Sequence, residues 1–364
     1  MIASYGMTKD DIDTPALLID LDVFESNLKK MSLPFLSATA KLRPHAKTHK
    51  TPIIAHRQMT QGACGITCSK LGEAESLIFA GIKDILIANQ IVGKPKLNRL
   101  ASLAKQAKIT VAVDNEYNID QLSDSASTYN ANIGILVEID VGMGRCGVRS
   151  LNEAIRLAKR IDKEEYLNFE GLQGYEGHCV FIKDEAERER QTNLAYQLLD
   201  ESRKVLEQIG FQVKTVSGGG TGTFSQALKA GILTEIQAGS YVFMDGHYNE
   251  IPGLGFGNAL MVLSTVISRP EKKRLVTDCG LKSISVDFGL PVVKNMKELQ
   301  CIKAAEEHTL FDTTVLSNEI KIGDKIELIP SHCCTTVNLH DFYYGIRNGM
   351  VEAIWPIAAR GKFF

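Results

Sequence analysis

A basic segment near the N-terminus contains the residue best suited to covalent chemistry. Residues 43–51 read Arg-Pro-His-Ala-Lys-Thr-His-Lys-Thr, so Lys47 lies among two histidines, a second lysine and an arginine. Like charges disfavour a protonated amine, and we expect these neighbours to favour the neutral form of Lys47. A neutral lysine amine can form a Schiff base with a carbonyl compound. A basic loop that binds an anion would also account for the segment.

A glycine-rich segment, Ser217-Gly218-Gly219-Gly220-Thr221-Gly222-Thr223, is suited to holding a phosphate. Glycine allows the backbone to approach an anion closely, and successive free N–H groups can surround it. The segment matches neither common nucleotide-binding glycine motif. A shorter segment, Gly239-Ser240-Tyr241, follows one unit later, where barrels often bind phosphate. A pair of tight turns would explain both segments as well.

Two further segments carry polar residues in patterns that could bind a ligand. Arg145 lies in the glycine-rich run 140–147, where its guanidinium could donate to an oxyanion, although a surface ion pair is the ordinary role of such an arginine. His332 and Cys334 form a His-x-Cys pair, which would leave coordination positions open on a Zn²⁺ ion. Adjacent cysteines, as in Cys333-Cys334, are otherwise often buried small residues.

The first two-thirds of the chain alternate short apolar strands with amphipathic helices. The alternation begins with a strand at Ala16–Asp20 and yields about eight β-α units, which predicts an α/β fold with a (β/α)8 barrel over residues 15–248. Such barrels carry their chemistry at the carboxyl ends of the strands. Several candidate residues follow predicted strands, namely Arg145, Tyr175, His178, Ser217 and Gly239.

The pattern changes after a cluster of glycines at residues 253–257. Strand-like runs separated by turn residues follow, and the Asn348-Gly349 pair is a strong hairpin signal. We therefore predict a smaller, mainly antiparallel β domain made of residues 1–14 and 249–364, which carries the His332 and Cys334 pair.

Composition restricts the class of protein. The chain has 364 residues, 44% hydrophobic and 23% charged, with a net charge of −2, as in ordinary globular proteins. This charge gives no basis for binding nucleic acid or an anionic membrane surface. We find neither a signal region nor an apolar run long enough to span a bilayer. Eight scattered cysteines favour free thiols and a cytoplasmic location.

Together these segments resemble the fold-type III pyridoxal phosphate enzymes, whose barrel is alanine racemase-like. Within them, the chain is most similar to the group of D-threonine aldolases, 3-hydroxy-D-aspartate aldolases and D-serine dehydratases. The resemblance covers nearly the whole chain and rests on motifs that occur in the same order, namely residues 13–16, 43–50, 142–147, 217–223, 237–245, 332–334 and 355–361.

The resemblance implies roles for the candidate residues. Lys47 would hold pyridoxal phosphate covalently, and Arg145 would bond its phenolic oxygen. Tyr175 or Gln237 would face the pyridine nitrogen. The phosphate would bind to the two glycine-containing segments, at Ser217, Gly219, Gly220, Thr221, Gly239, Ser240 and Tyr241. His332 and Cys334 would bind a divalent metal (Zn²⁺, Mn²⁺ or Mg²⁺), with thiolate favouring Zn²⁺. A head-to-tail homodimer is also implied.

The same residues would serve two reactions on a D-amino acid. In retro-aldol cleavage the Cα–Cβ bond breaks, and His178 would accept the β-hydroxyl proton. In dehydration Lys47 removes the Cα proton, and a 2-oxo acid and ammonia result. The form of the 217–223 segment resembles the aldolases, whereas Cys334 is more typical of the dehydratases. A non-catalytic pyridoxal phosphate carrier would lack the β domain. A racemase would need a second base, for which nothing marks Tyr343 or Tyr344.

Overall fold

The computed structural model describes residues 2–314 and 320–364, and it divides the chain into two compact units. The first, here called the barrel unit, comprises residues 31–47, 52–239 and 362–364. The second, the β unit, comprises residues 1–30, 48–51 and 240–361. Residues 1 and 315–319, which fall in the predicted second domain, lie outside the described residues. Among the helices of residues 2–314 and 320–364, none combines the length and the apolar composition that a membrane span requires.

The described residues form seventeen strands and nine α-helices. The strands are β1 (Ala16–Asp20), β2 (Lys41–Leu42), β3 (Ile66–Cys68), β4 (Asp84–Ile87), β5 (Lys108–Val113), β6 (Ile133–Glu138), β7 (Leu167–Gln173), β8 (Thr215–Gly218), β9 (Glu235–Ile236), β10 (Leu260–Glu271), β11 (Arg274–Thr277), β12 (Val292–Val293), β13 (Gln300–Ala304), β14 (Thr309–Asp312), β15 (Lys325–Ile329), β16 (Phe342–Arg347) and β17 (Met350–Pro356). The helices are α1 (Leu21–Ser32), α2 (Pro52–Thr60), α3 (Leu71–Phe79), α4 (Lys94–Ala104), α5 (Glu116–Tyr129), α6 (Leu151–Ile161), α7 (Glu185–Gln208), α8 (Phe224–Ala230) and α9 (Cys333–Val337).

The barrel unit is built on a parallel sheet of eight of these strands, in the order β2-β9-β8-β7-β6-β5-β4-β3. A parallel bridge between His45 and Thr67 joins the two ends of this order, and Thr67 N donates to Pro44 O at 2.9 Å. The predicted (β/α)8 barrel is therefore confirmed. Because the strands are parallel, the residues that follow them lie at one end of the barrel.

Helices α2 to α8 connect the barrel strands, and α6 shows why they form. Ser150 accepts a hydrogen bond from Glu153 N, while the Glu153 carboxylate accepts one from Ser150 N, so the helix begins with a capping box. The buried residues of α6 recur at helical spacing and form its apolar face: Ala154, Leu157, Ala158 and Ile161. This face packs against β6 and β7, which holds the strand ends in place.

The β unit contains the other nine strands of the described residues, which pair antiparallel with one exception. Strands β16 and β17 form the hairpin predicted at Asn348-Gly349, and both turn residues have positive φ, at 50° and 75°. The hairpin and β1 enclose an apolar cluster, made of Ala3, Ile12, Ala16, Leu18, Leu263, Tyr344 and Val351. The predicted mainly antiparallel domain is confirmed.

The position of β1 corrects the sequence analysis. Ala16–Asp20 was expected to open the barrel, but β1 lies in the β unit, antiparallel to β10 and parallel to β16. Its residues Ala16 to Ile19 are all buried, as the residues of a barrel strand would be. An amphipathic helix, α1, follows β1, as a helix follows each strand of a (β/α)8 barrel. Apolar runs alone do not specify the partner strand. The observed units accordingly differ from the predicted boundaries at residues 15 and 248.

Candidate functional site

Lys47 lies just beyond β2, at the carboxyl end of the barrel strands. It sits in a short 3-10 helix, Ala46–Thr48, and the preceding His45 N donates to Ala238 O at 3.2 Å. The Lys47 Nζ atom is 5.8 Å from the centre of the Tyr175 ring. Lys47 therefore faces an aromatic side chain that follows β7 at the same end of the barrel.

Arg43 does not contribute free positive charge near Lys47, contrary to the expectation from sequence. Its guanidinium is buried and binds Asp84 at 2.6 Å and Glu235 at 2.7 Å. Burial alone would lower the pKa of Arg43, but the hydrogen bond and charge of Glu235 outweigh it and raise that pKa. A Cβ on Gly65 would lie 2.0 Å from Arg43 Nη1, so only glycine leaves room for this ion pair. Arg43 is a structural residue.

Two cations lie near the ring of Tyr175. The Arg145 guanidinium is 5.6 Å from the centre of its ring, which also faces Lys47. Cations are attracted to the face of an aromatic ring. His178 is exposed, and its Nε2 would be 3.2 Å from a Cβ built on Gly142, in the loop that carries Arg145. The structure thus brings Lys47, Arg145 and Tyr175 together, with His178 beside the Arg145 loop.

Glu138 is a buried acid beside Arg145 that the sequence analysis missed. It is the last residue of β6, 3% exposed, and its carboxylate accepts from Gln90 Nε2 at 2.5 Å and lies 3.8 Å from Arg145 Nη2. Burial raises the pKa of Glu138. The available signal was a single charged residue at the end of an otherwise apolar strand.

Polar side chains from neighbouring strand ends form a hydrogen-bonded group in the barrel. Gln237, just after β9, donates through Nε2 to Ser217 Oγ at 2.9 Å and to Gln173 Oε1 at 3.3 Å. These three residues are buried. Gln237 is therefore held at the barrel end by β7 and β8, and its amide is oriented by two neighbours.

The glycine-rich segment begins in the last two residues of β8, and two of its N–H groups already have partners. Gly219 N donates to Glu176 Oε2 at 3.2 Å, and Gly220 N donates to Thr223 Oγ1 at 3.1 Å. We expected Gly219 and Gly220 to offer free N–H groups to a phosphate, and in this conformation they do not. Thr221, which is 1% exposed, directly follows these two glycines.

The second glycine-containing segment runs from one unit into the other. Ser240–Val242 forms a short 3-10 helix in the β unit, and all its residues are buried. Tyr241 packs against Phe256, with the ring centres 5.8 Å apart. Gly239, also buried, is the preceding residue of the barrel unit.

His332 and Cys334 converge at the start of α9 in the β unit. His332 Nδ1 lies 2.7 Å from Asp287 Oδ2, and a second hydrogen bond joins His332 to Cys334. Burial alone would lower the pKa of His332, but Cys334 and Asp287 raise it to about 9. The Cys334 Sγ atom is 3.4 Å from Thr48 Oγ1. An imidazole and a thiol within hydrogen-bond distance of each other form a donor pair that fits a divalent metal.

Asp287, Asp245 and Phe288 support this pair and were missed from sequence. Asp287 also accepts from Thr335 Oγ1 at 3.1 Å, and the Phe288 ring stacks on His332 with centres 4.4 Å apart. The buried Asp245 accepts from Cys333 N at 2.9 Å. In the described ranges, no group of three or more His, Cys, Asp or Glu residues is placed to hold a metal.

The tyrosines considered as racemase bases are occupied elsewhere in the β unit. Tyr343 OH donates to His49 O at 2.8 Å, and Tyr343 is fully buried. Burial raises the pKa of Tyr343 well above its ordinary value. Tyr344 OH accepts from Ile2 N at 3.2 Å. Neither contact suits a base that exchanges a proton with a substrate.

Comparison with known proteins gives a consistent assignment across both units. Residues 19–247 match the family described as alanine racemase, N-terminal domain, and residues 259–346 match the putative serine dehydratase domain. The chain is 41% identical to the D-threonine aldolase of Arthrobacter sp., over 96% of this chain and 93% of that protein. It is 38% identical to the 3-hydroxy-D-aspartate aldolase of Paracoccus denitrificans, over 98% and 94%.

Solved structures and more distant relatives extend this result. The D-threonine aldolase from Filomicrobium marinum matches with a TM-score of 0.98 and 40% identity over 100% of both chains. The D-serine dehydratase of Dictyostelium discoideum is 25% identical, over 93% of this chain and 94% of that protein. The chain therefore belongs to the fold-type III pyridoxal phosphate-dependent lyases, in the group of D-threonine aldolases, 3-hydroxy-D-aspartate aldolases and D-serine dehydratases.

Proposed function

We propose that this protein cleaves a D-3-hydroxy amino acid, of the D-threonine or 3-hydroxy-D-aspartate type, between Cα and Cβ. The products would be glycine or its analogue and an aldehyde. The observation that supports this most is the 38–41% identity to two aldolases over nearly the whole chain, against 25% to a D-serine dehydratase. The proposed reaction depends on pyridoxal phosphate and a divalent metal.

The barrel unit is proposed to hold the cofactor. Bound pyridoxal phosphate supplies an electron sink for the electrons of the breaking bond. Lys47 would attach it, Arg145 would donate to its phenolic oxygen, and Tyr175 or Gln237 would lie at the pyridine ring. The nearby ring of Tyr175 supports this assignment, because it lies within 6 Å of both cationic groups. Phosphate contacts are proposed for Ser217, Thr221, Gly239, Ser240 and Tyr241, while Gly219 and Gly220 shape the loop.

The β unit is proposed to hold the metal, through His332 and Cys334. A bound divalent cation lowers the pKa of a hydroxyl group that coordinates it. Asp287 would fix the tautomer of His332, because a carboxylate can only accept a hydrogen bond and the proton must therefore be on Nδ1. The unprotonated Nε2 would then be the ligand atom. The thiolate of Cys334 favours Zn²⁺ over the harder Mg²⁺.

His178 is proposed as the base that accepts the β-hydroxyl proton. Its exposure and its location beside the Gly142 backbone support this, since a proton acceptor must reach both substrate and solvent. Lys47, by contrast, would serve as a base only in the dehydratase reaction, where the proton leaves from Cα.

Dehydration of a D-serine or 3-hydroxyaspartate substrate is the second candidate function. It is favoured by Cys334, since a cysteine at this position is more typical of the dehydratases. The carrier hypothesis is less well supported, because the chain has the β unit that carriers lack and matches the serine dehydratase domain there. We further propose a homodimer in the cytoplasm, which sedimentation analysis and cell fractionation would test.

A substrate panel tests the proposed function. Purified protein with pyridoxal phosphate and either Zn²⁺ or Mn²⁺ would be given D-threonine, L-threonine and 3-hydroxy-D-aspartate in turn. We expect aldehyde from a D-substrate, none from L-threonine, and loss of activity on chelation that added metal restores. Ammonia without aldehyde would support the dehydratase. Absence of turnover with every substrate, in protein that binds the cofactor, would support a carrier.

A further inference from the structure

Glu176 is a fully buried carboxylate for which the proposed reaction has no role. It follows β7 directly after Tyr175, and its exposed fraction is 0%. Oε1 accepts from Tyr196 OH at 2.8 Å and from Thr223 Oγ1 at 2.5 Å, while Oε2 accepts from Gly219 N at 3.2 Å. A buried charge is costly unless its oxygens are satisfied, and here three donors converge on it.

These contacts link Glu176 to the middle of the glycine-rich segment, at Gly219, and to its last residue, Thr223. Gly220 N donates to Thr223 Oγ1, which in turn donates to Glu176, so one carboxylate fixes the orientation of two successive peptide groups. The third donor, Tyr196, belongs to α7. Burial and the charge of Glu176 raise the pKa of Tyr196 well above its ordinary value, so its hydroxyl remains a donor.

The glycines of the segment also pack closely on the chain around Glu176. A Cβ on Gly218 would be 2.2 Å from Gly174 O, and one on Gly222 would be 2.4 Å from Val180 O. Gly219 has a φ of 79°, in the left-handed region. The backbone path of the segment is therefore determined by residues 174–180, and Glu176 supplies its hydrogen bonds.

We propose that Glu176 is a positioning residue that holds the 217–223 segment in the conformation that receives the cofactor's phosphate group. Glu176 sets the preference for pyridoxal phosphate over pyridoxal indirectly, through its hydrogen bonds to the segment. The proposal rests on the proposed placement of the phosphate at Thr221 and its neighbours.

Cofactor titration of Glu176→Gln tests the proposal. The glutamine has nearly the same shape, but it replaces one accepting oxygen with a donor, so it leaves either Gly219 N or the hydroxyl pair without an acceptor. Cofactor-free protein would be titrated with pyridoxal phosphate and, separately, with pyridoxal, and each Kd read from absorbance. We expect the Kd for pyridoxal phosphate to rise about tenfold or more and the Kd for pyridoxal to stay within about twofold.

Thr223 and Glu170 provide the matched variants. Thr223→Ser keeps the hydroxyl and should behave as the parent, whereas Thr223→Val removes it and should weaken pyridoxal phosphate selectively. If Glu176→Gln does not fold, the two Thr223 variants carry the test. Glu170→Gln changes an acid within β7, the strand that precedes Glu176, whose carboxylate lies 3.9 Å from Lys214 Nζ, and should leave both Kd values unchanged.

Two outcomes would overturn the proposal. An equal loss of affinity for both ligands would mean that Glu176 is only structural. Tighter binding of pyridoxal phosphate would mean that the negative charge of Glu176 weakens phosphate binding by repulsion more than its hydrogen bonds to the segment strengthen it. Thr221→Val distinguishes failure of the underlying assignment: if its ratio of the two Kd values matches that of the parent, the phosphate binds elsewhere.

Discussion

His332 Nδ1 donates a hydrogen bond to Asp287 Oδ2 across 2.7 Å. Histidine ligands of metals commonly bond a carboxylate through their second nitrogen, which fixes the ring and its tautomer. Asp287 is itself held by Thr335 and lies 45 residues from His332 in sequence. This pairing is the geometric feature that makes the His332 and Cys334 pair a candidate metal site rather than two neighbouring side chains.

Asp287→Asn should weaken metal binding without removing it. An amide oxygen accepts the same hydrogen bond less strongly, and loss of such a partner costs about tenfold or more in metal affinity. Zn²⁺ affinity would be measured by competition with a chromogenic chelator. His332→Ala is the control that should lose the site altogether. An unchanged affinity in Asp287→Asn would contradict the role given to this carboxylate.

Cys334→Asp should shift the metal preference from Zn²⁺ towards Mn²⁺ and Mg²⁺, since it exchanges a soft ligand for a hard one. The ratio of the Zn²⁺ and Mn²⁺ dissociation constants is the measurement. Cys333→Ser is the control, because it changes the adjacent, fully buried thiol while serine keeps the N–H that donates to Asp245 and a hydroxyl that can replace the thiol's hydrogen bonds to Asp245 and Cys334. A ratio unaffected by Cys334→Asp would show that Cys334 does not bind the metal.

Lys47→Ala should abolish covalent attachment of pyridoxal phosphate. Borohydride reduction of the parent should leave a pyridoxyl group on Lys47, which peptide mass spectrometry can locate. Lys50→Ala serves as the control, since Lys50 belongs to the same basic run. Labelling of another lysine in the parent protein would contradict the assignment.

Arg43→Ala should destabilise the barrel by about 3 kcal/mol, because it leaves the carboxylates of Asp84 and Glu235 without their buried partner. Lys108→Ala removes an exposed cation 3.7 Å from the same Asp84 and should cost less than about 1 kcal/mol. Urea unfolding would measure both free energies. Equal losses would show that the buried ion pair is not a special source of stability.

Glu327 should contribute to the pH dependence of stability. Burial would raise the pKa of Glu327, but its contacts with Lys9 and Lys294 lower it overall. A group with a lowered pKa stabilises the fold above its unfolded value, here 4.5, and loses that contribution as pH falls through the folded pKa. The difference in unfolding free energy between the parent and Glu327→Gln should therefore shrink as the pH falls below 4.5. A constant difference would contradict this.

Local patterns in the sequence predicted most of the fold. Alternating strands and amphipathic helices identify the barrel, and Asn348-Gly349 identifies the hairpin, because both signals lie within a few residues. Strand β1 was assigned to the barrel because a fully buried apolar strand carries no mark of its partners. Pairing of Leu18 with Met261 and Tyr344 depends on residues more than 200 positions away.

The supporting residues of the candidate site were harder to find than the residues they support. Lys47, Arg145 and His332 stand out by residue type and motif. Glu176 acts through Thr223, 47 residues later, and only the folded chain brings them together. From the sequence alone, the positive charge of Arg43 is expected to act on Lys47. Only the folded chain shows that this charge is neutralised by Asp84 and Glu235.

The fate of the substrate carbons tests the central claim most directly. D-Threonine labelled with ¹³C at Cα would be incubated with the metal-loaded holoenzyme and followed by NMR. We predict that the label appears in glycine, with one equivalent of acetaldehyde, because the Cα–Cβ bond breaks. Label in 2-oxobutanoate, with one equivalent of ammonia, would contradict the aldolase proposal and establish dehydration instead.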